Sequence, residues 1–241
     1  MVSDSMNKIF DLQFLISVIP QIIKFLPVTL LLALLSCLLG LVIGFLVALV
    51  RYFKVKGLLG ICKVYISFIR GTPTMVQLVL VYYGLPIVLR YINSKWGTAF
   101  DVNSISPIVF AIITFSFNAG AYMSEIIRSA MLAVDRGQIE ACYSMNMSSW
   151  QTLKSVIMPQ AFGIALPSLG NNFISVLKET SLVFNISVVE IMSQAKIIGS
   201  RTFRFFEVYI AVSLIYWGCC LGLEFILNRI EKKVRSKERG V

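Results

Sequence analysis

From position 27 to position 50 the chain carries no charged side chain. At about 1.5 Å of rise per residue, a helix of that length crosses the roughly 30 Å apolar layer of a bilayer. Backbone buried in lipid must satisfy its own hydrogen bonds, so a continuous apolar run of this length has to be helical there. Four further apolar runs follow, at about 73–92, 107–123, 163–192 and 208–227. The expected fold class is therefore an all-α polytopic membrane protein with five transmembrane helices. Composition agrees: 57% of residues are hydrophobic and 14% charged, against about 25% charged in soluble domains.

The net charge of +10 does not indicate nucleic acid, because the basic residues sit at the ends of apolar runs rather than on one soluble face. With the N-terminus outside and the C-terminus cytoplasmic, the faces read as cytoplasmic hold fourteen basic residues and the opposite faces seven. The segment 51–70 contributes Arg51, Lys54, Lys56, Lys63 and Arg70 and no acid. Ahead of the first span, Gln13, Ser17, Gln21 and Lys24 share one face of a predicted interfacial helix at 9–24. Asp4 and Asp11 interrupt that region, so no cleaved signal peptide is expected. The expected organisation is an interfacial segment at 1–24, a transmembrane domain at 25–228 with a cytoplasmic loop at about 134–160, and a basic tail at 229–241.

Local signals mark element boundaries. Gly40-x-x-x-Gly44 and Gly218-x-x-x-Gly222 are small-residue faces suited to close helix packing. Thr72-Pro73 reads as a cap followed by a first-turn proline. Residues 57–70 read equally well as a separate interfacial helix or as an extension of the next span. Glu125 and Arg128 follow the third span on its way out. Two short helices are predicted between Asp135 and Pro159, from the pairs Asp135/Gln138 and Ser148/Gln151. Asn146 between them suits a left-handed helix end. Pro167 and Gly170 are breakers within the fourth span.

The sharpest polar signal is Lys178-Glu179-Thr180-Ser181 within the fourth apolar run. A charge at a helix centre costs about 2.5–3.5 kcal/mol on insertion scales, so both charges must face protein or water. Neighbouring helical positions lie about 100° apart and pair poorly with each other. A zwitterionic solute would need both signs. The competing reading is a structural pair satisfied by other helices or by a second subunit. Thr180 and Ser181 offer hydroxyls either to a solute or to a helix break. Glu140, beside the small Ala141 and Cys142, fits either a docking helix or a solvated face.

The five cysteines lack metal spacing and read as small apolar fillers. With no histidine, His-based catalysis and metal chemistry are excluded. No Gly-Lys pair opens a phosphate-binding loop, so any ATPase would be another chain.

The stretch from Glu140 to Ala161, with Met158-Pro159-Gln160-Ala161 at its end, resembles the cytoplasmic "EAA" loop of ATP-binding-cassette importer permeases. The polar amino acid subfamily (histidine, glutamine, arginine, cystine) is the nearest match. The resemblance continues through Phe68-Ile-Arg-Gly-Thr-Pro73, Tyr83-Gly-Leu-Pro86, Asn118-Ala-Gly-Ala-Tyr122, Leu166-Pro-Ser-Leu-Gly-Asn-Asn-Phe173 and Leu177-Lys-Glu-Thr-Ser-Leu182. Departures are Cys142 for an alanine, Asn146 for a glycine, Met158 for a leucine and Glu179 for an aspartate.

This resemblance implies that Glu140, Ala141, Cys142, Ser144, Met145, Asn146 and Met147 meet a separate ATPase subunit, which holds the ATP and Mg. No cofactor is expected in this chain. It implies a second permease chain, an extracytoplasmic solute-binding protein, surrounding lipid and a bacterial inner membrane. It also implies a solute path near Met75, Gln77, Asn118, Asn172, Ser175, Lys178, Glu179, Thr180 and Ser181. Asn172, where a cation-preferring relative carries an acid, leans away from arginine or lysine. Ser200-Arg-Thr-Phe203 and Ser213-Leu-Ile-Tyr-Trp217 are similar to cystine permeases. Cystine is thus the expected amino acid. The alternative function is an ion-coupled carrier using Lys178 and Glu179 as a relay.

Overall fold

The computed structural model describes residues 10–99, 101 and 104–238, and every regular element among them is helical. Helices α1 (Leu12–Ile23), α2 (Leu26–Tyr52), α3 (Leu58–Gly71), α4 (Thr74–Trp96) and α5 (Pro107–Leu132) form the first half. Then come α6 (Arg136–Ser144), α7 (Ser149–Thr152), a π turn (Leu153–Ile157), α8 (Met158–Glu179), a 3-10 turn (Thr180–Ile186), α9 (Ile191–Thr202) and α10 (Phe205–Glu238). By length and composition α2, α4, α5 and α10 can each cross a membrane, and counting the pair 149–186 and 191–202, bent by 50°, as one span makes five.

The centre is α2 against α5. A Cβ on Gly40 would lie 2.8 Å from the Ala119 Cβ, and one on Gly44 would lie 2.9 Å from the Met123 Cβ. Gly120 answers from α5, with the Ile43 Cγ2 2.8 Å from its missing Cβ. Dispersion between closely approaching backbones is the main attraction between helices in lipid. Gly44→Val is therefore expected to cost about 1–3 kcal/mol by overpacking, seen as a lower melting temperature in detergent. Gly222→Val is the control. Nothing lies within 4 Å of a Cβ on Gly218 or Gly222 of α10.

Several boundaries differ from the sequence reading. The third span does not stop near Met123. Helix α5 continues through Glu125 and Arg128, because Arg51 from α2 and Arg128 one turn on neutralise Glu125. Helix α1 has the expected exposed face of Gln13, Ser17, Gln21 and Lys24. Its other face buries Leu15, Val18 and Ile22, the last two in a cluster with α9 and α10, so it packs on protein. Residues 1–9 and 239–241 lie outside the described residues. Helix α10 runs without a break through the stretch after Asn228 as far as Glu238.

Residues 57–70 form their own helix, α3, separated from α4 by Thr72-Pro73. Thr72 does not cap α4; its hydroxyl donates back to the Phe68 carbonyl at 2.8 Å. Pro73 has no N–H to offer the Ile69 carbonyl four residues earlier. The side-chain amide of Gln77 supplies that donor instead, at 2.8 Å from Ile69 O and 3.0 Å from Thr72 O.

The predicted single span 163–192 and the loop 193–207 are also corrected. Helix α8 runs through Pro167 and Gly170, with Gly170 giving room to Leu227 of α10. It ends at Glu179, where Thr180 Oγ1 and Ser181 Oγ donate to the Leu177 and Lys178 carbonyls at 2.7 and 2.8 Å. Those bonds tighten the chain into the 3-10 turn. Ser187 then takes a left-handed conformation (φ 62°), and α9 begins at Ile191, replacing the expected loop.

The acid at that restart was not anticipated. Glu190 is fully buried. Its Oε1 accepts from the Ser193 N–H at 2.9 Å, while Oε2 accepts from Tyr216 at 2.9 Å and Thr29 at 3.2 Å. One carboxylate thus joins α2, α9 and α10.

Candidate coupling helix and solute cleft

Helix α6 starts where Asp135 accepts from the Gln138 N–H at 3.2 Å. It ends in a Schellman turn: the Asn146 N–H donates to Tyr143 O at 2.9 Å and the Met147 N–H to Cys142 O at 3.0 Å. Asn146 adopts φ 62°, the left-handed conformation expected of it. The reciprocal Ser148/Gln151 box caps the next turn. The second predicted short helix is not separate, however. Through the π turn it becomes the start of α8, with the Met158 N–H donating to Leu153 O. The wider turn accommodates Pro159, which cannot donate and whose ring crowds the preceding turn.

Glu140, Ala141, Ser144, Met145 and Asn146 are exposed, with Met145 at 79%. Tyr143 and Trp150, not anticipated, share the exposed surface. Cys142 is buried and Met147 half-buried. Cys142 thus turns toward its own chain, while Met147 keeps part of its surface open. Gln138 binds Gln160 of α8 at 2.7 Å, tying α6 to α8.

At the far end of α8, Ser175, Lys178, Glu179, Ser181 and Leu182 line an open cleft of about 320 Å³. Helical geometry puts Asn172, Ser175 and Glu179 on one face, at spacings of three and seven. Lys178 is exposed to the cleft and Glu179 half-buried. Among the described residues, Glu179 Oε2 and Asn172 Oδ1 are buried with no protein hydrogen-bond partner. Carboxylate and amide oxygens are acceptors, and a buried acceptor left unpaired is costly. Glu179 thus lines the cleft and keeps one unpaired acceptor buried beneath its surface.

The other candidate path residues are not part of this lining. Thr180 is buried and bonded to its own backbone. Met75 is exposed and lies outside the cleft lining. Gln77 and Asn118 are buried and bonded to each other, Asn118 Nδ2 donating to Gln77 Oε1 at 3.0 Å. A wholly apolar hollow of about 360 Å³ between α2, α5 and α8 offers no polar group to a zwitterion.

Residues 40–236 match the sequence family described as "Binding-protein-dependent transport system inner membrane component". The chain belongs to that family. The permease is 41% identical over 234 residues to the probable amino-acid permease protein YxeN of Bacillus subtilis, covering 97% of this chain and 100% of the relative. It is 36% identical over 236 residues to the L-cystine transport system permease protein TcyL of the same organism, covering 98% and 96% of the two chains. A crystal structure of an amino acid ABC transporter with histidines superposes at a TM-score of 0.80 and 34% identity, covering 94% of the permease and all of that chain. Membership gives the permease a transport rather than a catalytic role, and leaves the ion-coupled carrier without support.

Proposed function

We propose that this permease is the membrane-spanning subunit of an ATP-driven importer of an amino acid, with L-cystine the first candidate. A separate ATPase subunit, which carries ATP and Mg, docks on the exposed face of α6. A second permease chain and an extracytoplasmic binding protein complete the complex. It resides in a bacterial cytoplasmic membrane with its N-terminus outside and its C-terminus within.

The observation that carries this reading is the chemistry of the cleft. The Lys178 ammonium and the unpartnered Glu179 oxygen present opposite charges at one end of α8, as a zwitterion requires. L-Cystine rests on the similarity to TcyL and on Asn172, which is neutral where a cationic substrate would favour an acid.

The test is uptake of a labelled amino acid panel including cystine, by cells carrying the permease with its ATPase and binding protein. Uptake should follow ATP and survive collapse of the ion gradients; uptake that follows the gradients overturns the reading. Glu179→Gln keeps the side chain's size and removes its charge. A charge-assisted hydrogen bond contributes about 1.5–3 kcal/mol, so apparent KM should rise between about tenfold and a hundredfold.

A further inference from the structure

A second polar hollow, of about 510 Å³, opens between α4 and the start of α5, at the end of α5 away from α6. Tyr82, Tyr83, Ile87 and Arg90 line it from α4, and Pro107 and Phe110 from α5. The Tyr82 ring lies edge-on to Phe110 at 5.5 Å and to Tyr83 at 5.0 Å. Among the described residues, no acid lines this hollow. Its polar side chains are one guanidinium, which only donates, and two phenol hydroxyls, which can donate. A cation with two hydroxyls and no carboxylate suits an oxyanion. Arg90 is itself engaged within the chain, and with five N–H donors a guanidinium can hold a ligand oxygen as well.

The depth of the hollow identifies the kind of anion. Near the end of α4, Lys95 Nζ lies over the rings of Tyr91 and Trp96, at 5.6 and 5.7 Å. Tyr and Trp gather at the membrane–water boundary. Arg90 lies about 9 Å along the helix from Trp96, and Ile87 and Tyr83 lie about 5 and about 10 Å deeper than Arg90. A charge below the boundary needs an anion or water. The order inward is thus a cation, then apolar and hydroxyl-bearing groups. A phospholipid has the matching order of phosphate, ester carbonyls and acyl chains. A choline or ethanolamine head would set a second cation beside Arg90, so the fit favours a headgroup with net negative charge.

We propose that this hollow binds an acidic phospholipid in the leaflet opposite α6, with its phosphodiester on Arg90 and its ester carbonyls within reach of Tyr82 and Tyr83. The lipid ties α4 to the start of α5. The site is separate from the solute cleft and does not depend on how that cleft works.

The experiment is lipid titration of the purified permease–ATPase complex in detergent, read by native mass spectrometry. The probes are dioleoylphosphatidylglycerol and dioleoylphosphatidylcholine. The chains are wild type, Arg90→Gln, Arg90→Lys, Tyr83→Phe and Lys95→Gln. Wild type should hold the phosphatidylglycerol about tenfold more tightly than the phosphatidylcholine. Arg90→Gln should abolish that preference, Arg90→Lys should keep most of it, and Lys95→Gln, outside the hollow, should leave it intact. Tyr83→Phe should weaken both lipids about threefold, and it carries the test if Arg90→Gln fails to fold. Equal affinity for the two lipids in wild type overturns the proposal. So does a preference that survives Arg90→Gln, or one that Lys95→Gln removes equally, which would show diffuse attraction to a basic surface. Inorganic phosphate and free amino acids serve as competitors. Displacement of the phosphatidylglycerol by either at millimolar concentration would mark a site for a free anion and overturn the lipid assignment.

Discussion

A permease carrying Glu190→Leu should not be recovered as a folded, monodisperse protein. The substitution strands the Ser193 N–H, the Tyr216 hydroxyl and the Thr29 hydroxyl, each within 3.2 Å of the carboxylate. At about 1–3 kcal/mol for each stranded donor, the loss is on the order of 5 kcal/mol. That is comparable to the whole stability of many domains, about 5–15 kcal/mol. Glu190→Gln should be intermediate, since the amide oxygen keeps some of the bonds while its NH₂ faces a donor. Size-exclusion profiles and melting temperatures in detergent read both effects. A wild-type melting temperature for Glu190→Leu would show that the three helices hold together without it.

The second large effect is expected at α6. Ala141→Trp puts an indole on the exposed face beside Glu140, where the proposed ATPase contact leaves no room. Uptake should fall to background in the reconstituted complex, while ATP hydrolysis no longer responds to the loaded binding protein. Glu140→Ala should act in the same direction by removing the charge proposed to meet a basic group on the ATPase. Both side chains are exposed and seat nothing within the chain, so the permease itself should fold. Asn146→Gly should be neutral and Asn146→Val harmful, because a β-branched residue at φ 62° is strained by about 1–2 kcal/mol. Normal uptake in Ala141→Trp would sink the docking surface.

What was legible in the sequence was chemistry acting over short distances. Asp135, Ser148 with Gln151, and the left-handed Asn146 are all read from neighbours within four residues. Gly40 and Gly44 were visible because the spacing alone puts them on one helix face. Other features depend on partners far along the chain. Glu190 reads as a stray acid between Val189 and Ile191 until residues 29 and 216 arrive beside it. Gln77 and Asn118 look like solute ligands in a list of polar residues. Only the missing N–H of Pro73 explains why Gln77 turns toward Ile69. Likewise Glu125 looked like the end of a span because Arg51, 74 positions earlier, was not there to neutralise it. In the cleft, the sequence singled out Lys178 and Glu179, whose opposite charges both line it.

The unbroken path from Ser149 through the π turn to Glu179 makes the second half of the loop and the charged cleft two ends of one rod. At about 1.5 Å per residue its length is near 45 Å. A rod of that length is a lever: a tilt of about 5° at the Ser149 end sweeps the far end by about 4 Å, which exceeds the length of a hydrogen bond. No slack segment interrupts it to absorb the stroke. A small rotation imposed beside Trp150 thus moves Glu179 and the cleft around it by more than a bond length.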